Sequence, residues 1–212
     1  LGYDRYIAMK MMPLINMIPT ALRTKAGSLL SGIPNRLFRR AGRLLNMGGR
    51  DAAGSYLDAI SQFTPEHKRN LYNDDSYRVL CSGRNLPLEY ISNSYNNDLS
   101  LLQALSFTDI KTYLPEDILT KVDIASMANS LETRSAFLDQ KVIQFALRLP
   151  TKLKMNAQKK KYILKEAFSD LLPESVLKRG KMGFGVPLEH WFRKELKGFA
   201  QEVLSQPPDN IK

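Results

Sequence analysis

The stretch YLPEDILTKVDIASMANSLETRSAFLDQKVIQFALRLP, Tyr113–Pro150, decides the fold class. Its apolar residues recur at helical rather than strand spacing. Ile118, Val122 and Ala125 share one face, and Val142, Phe145, Ala146 and Leu149 share another. The first run is entered through Pro115, with Glu116 and Asp117 behind it. Proline's fixed φ and acids facing the helix dipole both suit a first helical turn. Pro150 closes the second run, as a residue that cannot continue a helix should.

Working outward, the same period recurs. Tyr162, Ile163, Phe168 and Leu171 predict an amphipathic helix stopped by Pro173, and Trp191–Leu204 predicts another. Between Thr64 and Asn97, clusters of Asn, Asp, Ser and Pro read as loops. No alternating run long enough for a strand occurs, and there is no internal repeat or low-complexity tract. The expected class is mainly α.

Bulk composition agrees with an ordinary globular chain. The 212 residues are 43% hydrophobic and 25% charged. The most apolar opening stretch, Met11–Ile18, is interrupted by Pro13 and Asn16 and is too short to span a bilayer. It also lacks the layout of a secretory signal. Cys81 is the single cysteine, which excludes a disulfide framework and implies a buried, inert thiol in a reducing, cytoplasmic setting. His67 and His190 lack ligand-spaced partners, so no metal site is expected. The chain opens at Leu1 and runs directly into LGYDRY, which reads as an internal cut in a longer protein.

Net charge is +10, and it is uneven: up to Arg50 there are nine Lys/Arg residues against Asp4 alone. Arg36, Arg39, Arg40 and Arg43 can share one helical face. Such a face could bind nucleic acid, or it could be a solvated exterior balanced by acidic partners elsewhere. The basic part, residues 1–108, carries no further motif.

Chemistry-bearing residues concentrate from Asp109 onward. Asp117 and Lys121 are one helical turn apart, which suits a surface ion pair or the rim of a polar site. Glu132, Arg134 and Asp139 stand among Leu131, Phe137 and Leu138. Charges in that setting must be paired if buried, so an Arg134–carboxylate clasp tying one helix end to the next is expected. Lys159, Lys160 and Lys161 precede the helix at Tyr162 and would be favourable there only opposite negative charge. The loop LKRGKMGFGVPLEHWF, Leu177–Phe192, combines Arg179 and Lys181 with Gly180, Gly183 and Gly185. It is either a solvated connection or a loop whose glycines let backbone approach an anion that Lys181 neutralises. It lacks the spacing of a Walker phosphate loop.

Taken in order, LGYDRY, YLPEDILTKVDIASMANSLETRSAFLD, KKKYILKEAFSDLLP and RGKMGFGVPLEHWF resemble the C-terminal part of the asparagine synthetase synthase domain, a family that includes β-lactam synthetases. The matching positions run from Tyr113, Leu114, Pro115, Asp117, Leu119, Lys121 and Asp123 through Ser126, Met127, Leu131, Glu132, Arg134 and Phe137–Asp139. They continue at Lys161, Leu164, Arg179, Lys181, Gly183, Phe184 and Pro187.

The resemblance implies the helical C-terminal portion, residues 1–212, of an α/β ATP-pyrophosphatase-type synthase domain whose parallel sheet lies upstream. Residues 109–204 are the motif-bearing part. It further implies an ATP-dependent, AMP-forming carbon–nitrogen ligase. ATP, with Mg2+, activates the carboxylate of aspartate or a related acid as an acyl-adenylate, and ammonia, delivered from glutamine by an N-terminal glutaminase domain, then attacks. Lys181 resembles the family's catalytic lysine and Asp117 an acidic site residue. Lys121, Arg179 and Gly183 are expected to bind nucleotide or substrate, with Phe184, Pro187 and Trp191 anchoring the loop. The magnesium ligands and the pyrophosphate loop are expected outside this chain, which alone should be inactive. A homodimer is a candidate assembly.

Two positions depart from the family pattern. Ala136 stands where proline is usual, and Ile124 where arginine is frequent. They leave plain asparagine synthesis and specialised amidotransfer equally open. The alternatives from other classes are a basic helical nucleic-acid-binding module and a non-catalytic scaffold homologue.

Overall fold

The computed structural model describes residues 2–81, 86–156, 159–180 and 186–205. The chain divides into two compact units: Leu1–Ile60 with Leu86–Leu177, and Ser61–Asn85 with Lys178–Lys212. The expectation of a mainly helical chain is met. Among the described residues the only strands are β1 (Met155–Asn156) and β2 (Lys159–Lys160), paired antiparallel.

The larger unit is organised around α1 (Asp4–Asn16). Tyr6, Met9, Met12 and Ile15 recur every three residues, so one face of this helix is wholly apolar and buried. Pro13 is exposed, and the helix runs through it. Against the buried face pack Ala53 and Tyr56 of α4 (Ala52–Ile60), Ile91 of α7 (Leu86–Ser94), Leu102 and Leu105 of α8 (Leu101–Lys111), and Met155. Tyr56 and Leu105 are fully buried. Each such side chain stabilises the fold by about 1.5–3 kcal/mol relative to exposure.

Between α1 and α4 the chain forms a helical hairpin of α2 (Thr20–Gly32) and α3 (Arg36–Met47). Asn35 starts α3 by accepting from the Leu37 N–H at 2.9 Å. Two glycines let the helices touch. A Cβ on Gly42 would lie 2.7 Å from the Gly27 carbonyl oxygen and 2.7 Å from the Ser31 nitrogen, and one on Gly27 would meet the Asn46 side chain. Arg23 is buried beneath the turn that follows α3. Its guanidinium occupies the space a side chain on Gly48 or Gly49 would need, and Gly49 has φ +85°.

The sequence between Thr64 and Asn97, read as loops, instead supplies short helices: α5 (Pro65–Leu71), α6 (Asp74–Cys81) and α7. The polar residues act as caps. The Thr64 hydroxyl accepts from the His67 N–H at 3.2 Å, and Asn73 accepts from the Ser76 N–H at 2.8 Å. Cys81 is half-buried and free.

From Tyr113 on, the helices expected from periodicity form, but they bury little. A π-helical turn, Leu114–Leu119, leads into α9 (Thr120–Met127), then a 3₁₀ turn, Ala136–Leu138, and α10 (Gln140–Arg148). α11 (Thr151–Lys154) leads into β1; α12 (Tyr162–Ala167) ends before its predicted limit, and α13 (Glu174–Lys178) follows Pro173. The run Trp191–Leu204 is split into α14 (Leu188–Arg193) and α15 (Lys197–Leu204) by a wide turn in which the Leu196 N–H bonds to the Trp191 carbonyl. None of α9, α10, α12, α14 or α15 has a fully buried residue. Of the apolar stripes legible in the sequence, Val122, Val142 and Phe145 are 39–63% exposed while Ile118 and Leu149 are half-buried, so the stripes are largely uncovered.

The hairpin contact gives a direct test. Gly42→Ala drives a methyl group into backbone and should cost about 1–3 kcal/mol in urea unfolding. Gly32→Ala, whose Cβ would meet nothing within 4 Å, should be neutral or slightly stabilising. Equal effects at the two positions would contradict the close helix approach.

Candidate functional site

The densest polar cluster of the larger unit was not among the sequence candidates. Arg5, on the first turn of α1, places Nη2 at 2.9 and 2.8 Å from the two oxygens of Asp109 on α8. Their side chains are only 12% and 10% exposed. The hydroxyls of Tyr6 and Tyr56 both donate to the same carboxylate. Four tyrosine rings surround the guanidinium: its Cζ lies 4.1 Å from the centroid of Tyr3, 4.6 Å from Tyr113, 5.6 Å from Tyr56 and 5.8 Å from Tyr6. The cation is thus held by a carboxylate and by ring faces together.

This environment shifts its members. Burial raises the Tyr6 and Tyr56 hydroxyls well above the ordinary tyrosine range, and the neighbouring Asp109 charge and hydrogen bond add to it. Burial alone would lower the Arg5 pKa, but the hydrogen bond and charge of Asp109 raise it by more. A signal for the cluster did exist. Asp109 continues the helical face of Leu102 and Leu105, and a carboxylate on a buried face demands a partner.

Tyr113 carries the cluster toward the predicted site. Its ring meets Tyr3 edge-on at 5.9 Å. Burial, followed by a hydrogen bond to Asp117, raises its hydroxyl pKa. Asp117 in turn pairs with Lys121 at 3.5 Å across one turn. Both charged ends are about half exposed, so this pair is weak as a stabilising element and its groups are accessible.

The remaining sequence candidates fall as follows. Arg134 pairs with Glu132 at 2.7 Å, two residues away in exposed chain. Asp139 does not join them. It caps α10, accepting from the Lys141 and Val142 N–H groups at 2.9 and 3.3 Å. The three residues therefore do not form one buried clasp: exposed extended chain lets Arg134 reach the nearest carboxylate. In the lysine run, Lys160 pairs with Asp4, and Lys161 takes a left-handed conformation (φ 55°) just before α12. Arg36, Arg39, Arg40 and Arg43 are all exposed on α3. In the smaller unit, Arg179 is exposed. Lys181, Gly183 and Phe184 lie outside the described residues.

Two surface hollows are lined by Thr24, Lys25, Ser28 and Leu29, and by Pro187, Glu189, His190, Arg193 and Lys194. Neither includes Asp117 or Lys121. Among the described residues, no group of three His, Cys, Asp or Glu side chains could hold a metal ion. No helix among them is long and apolar enough to cross a membrane.

Comparison with known proteins defines the class. The family model for asparagine synthase matches residues 2–211, and the chain belongs to that family. It is similar to asparagine synthetase (glutamine-hydrolyzing) 1 of Bacillus subtilis, with 30% identity over 97% of this chain and 32% of that protein. A Mycobacterium tuberculosis protein whose name assigns it to the glutamine-hydrolyzing asparagine synthetases is 47% identical over 85 residues, 40% of this chain and 13% of its own length. The chain therefore spans about a third or less of the curated relatives it matches. No solved structure gives a significant match.

The raised tyrosine pKa values fix the sign of a pH effect. A folded pKa above the unfolded value of 10.0 means the stabilisation is complete below that pH and is lost as pH rises beyond it, when the unfolded chain releases protons the folded clasp retains. Stability in urea should fall from about pH 9.5 to 11, and the Tyr6→Phe/Tyr56→Phe double variant should show a flatter decline. Identical slopes would contradict the shared-carboxylate geometry.

Proposed function

We propose that the chain is the helical C-terminal part of an ATP-dependent, amide-forming synthetase of the asparagine synthetase type. The observation that carries this reading is family membership along almost the whole chain, residues 2–211. The uncovered apolar faces of α9 and α10 support it, because they suit packing against a nucleotide-carrying sheet supplied by the rest of a longer polypeptide. The names of the similar proteins point to glutamine as the nitrogen source and aspartate, or a related carboxylate, as acceptor.

In the proposed reaction a carboxylate oxygen attacks the α-phosphorus of ATP, and pyrophosphate leaves. Ammonia then attacks the acyl carbon of the resulting acyl-adenylate, and AMP departs with the bonding pair. Negative charge develops on the pyrophosphate and on a tetrahedral oxyanion, so fixed cations are the main requirement. Lys181 is assigned the phosphate-facing role, with Arg179 beside it in sequence and Gly183 giving the loop backbone access. Asp117 and Lys121 form a polar pair at the substrate rim. Magnesium accompanies ATP in such chemistry, but among the described residues no group of three His, Cys, Asp or Glu side chains could hold it.

The test uses the full-length polypeptide that carries this chain. Lys181→Ala should lower carboxylate-dependent conversion of ATP to AMP and pyrophosphate by at least about 100-fold. Hydrolysis of glutamine to glutamate, a separate reaction, should stay near normal. Synthesis within a few-fold of the unaltered protein would overturn the assignment, and salt-sensitive DNA or RNA binding lost on replacing the α3 arginines would favour the nucleic-acid reading instead.

A further inference from the structure

The α2–α3 hairpin carries the stretch of sequence that the synthetase reading leaves unused. Its base is tied to the core: Met47 is buried, and Leu44 and Leu45 pack half-buried against the same cluster as α1. The Gly27–Gly42 approach holds the two helices together, and the Asn35 N–H fixes the turn between them by donating to the Ile33 carbonyl at 2.7 Å. At that turned end the apolar side chains are uncovered. Leu29 is 74% exposed, Leu37 73%, Phe38 46% and Ile33 38%. Cations surround them. Lys25, Arg36, Arg39, Arg40 and Arg43 are all exposed, and the chain holds no Asp or Glu from Arg5 to Arg50.

The two sets are layered along the hairpin. At 1.5 Å per helical residue, Leu29, Leu37 and Phe38 stand within about 5 Å of the helix ends that meet at the turn, and Ile33 lies in the turn itself. Arg36 shares this level, Arg39 and Arg40 lie roughly 5–6 Å back, and Lys25 and Arg43 about 10 Å back. This is an apolar tip beneath a cationic collar. It matches the profile of a bilayer surface, where an apolar face enters about 5–10 Å into the headgroup–acyl boundary. Lysine and arginine meanwhile reach back to the phosphates.

We propose that this tip docks the protein on an anionic lipid bilayer. Leu29, Ile33, Leu37 and Phe38 enter the acyl boundary, and the collar of lysine and arginine meets lipid phosphates. The attachment is peripheral and independent of the synthetase reading. Other partners match less of the surface. Nucleic acid would engage the cations but give exposed leucines nothing to pack on. A second copy would bring two tips of like charge together. An acidic helix would need an apolar groove, whereas these side chains are spread around a turn.

The test is flotation of the full-length polypeptide with vesicles of phosphatidylcholine, alone or with about 30% phosphatidylglycerol. Binding should require the anionic lipid and weaken about 5-fold for each of Arg36→Gln, Arg39→Gln and Arg40→Gln. Ile33→Gln with Leu37→Gln leaves the charge unchanged and should weaken binding at least about 10-fold. All five side chains are exposed, so the melting temperature should not move. A second readout needs no variant: amide hydrogen exchange across residues 29–38 should slow on anionic vesicles. Amide formation in solution should be untouched by these substitutions, so this proposal and the synthetase reading fail separately.

Equal binding to neutral and anionic vesicles, no binding to either, unchanged exchange at the tip, or binding unmoved by the paired Gln substitutions would overturn the docking. Tighter binding to duplex DNA or to polyglutamate than to vesicles at the same salt, indifferent to the Gln pair, would assign the face to nucleic acid or an acidic protein instead. Self-association lost with the Gln pair would assign it to a second copy.

Discussion

The larger unit depends on a buried carboxylate that must satisfy several donors at once. Asp109 accepts from Arg5 in α1, Tyr6 in α1 and Tyr56 in α4, so one side chain on α8 ties three helices at a single point. Desolvating a carboxylate and a guanidinium costs several kcal/mol each, and that cost is offset only where the geometry is complete. Here it is nearly so: both carboxylate oxygens are occupied, and the arginine faces rings where it does not face oxygen. The Arg5 Nε is left without a partner, a modest residual cost. The consequence is specificity of position. Met9, Met12 and Ile15 could slide against their neighbours at small cost, whereas a shared carboxylate fixes the register of α1 on α8.

That fixed point lies at the junction of the two parts of the sequence. Within the larger unit, Asp109, where the motif-bearing part begins, is tied by the clasp to Arg5, Tyr6 and Tyr56 of the basic part. The dense packing sits on the N-terminal side of the junction. Beyond Tyr113, Val122, Val142 and Phe145 are exposed, and Asp117, Lys121, Glu132, Arg134 and Asp139 stand on accessible chain. A packed core carrying exposed motif residues suits the proposed role, in which it orients chemistry completed by the rest of a synthetase.

Much of this was legible in the sequence for a simple reason. Helical periodicity is a local property, and α9 and α10 obey it even without a partner to pack on. Pro115, Asp139 and Pro150 mark turn and helix boundaries by local chemistry alone. The helices α5, α6 and α7 were missed because Thr64 and Asn73 are capping residues as readily as loop residues, and composition does not distinguish the two uses. The Arg5–Asp109 pair joins residues 104 apart, and single-sequence spacing carries no information about which distant charges meet. Asp109 on the face of Leu102 and Leu105 announced that a partner was needed, but it did not say which. The Glu132–Arg134–Asp139 grouping shows the opposite error. Charges near apolar residues suggested burial, yet Leu131 and Phe137 are themselves exposed, so the charges answer to local backbone instead.

The most direct measurement is a double-mutant cycle on Arg5 and Asp109 by urea denaturation of the chain. Arg5→Met and Asp109→Leu each strand a buried charge or its donors and should cost about 3–5 kcal/mol. With both charges removed, the double variant should recover more than about 2 kcal/mol of the summed loss. Single losses that simply add would mean that the two groups do not hold one another, and the fixed point on which α1, α4 and α8 converge would not exist.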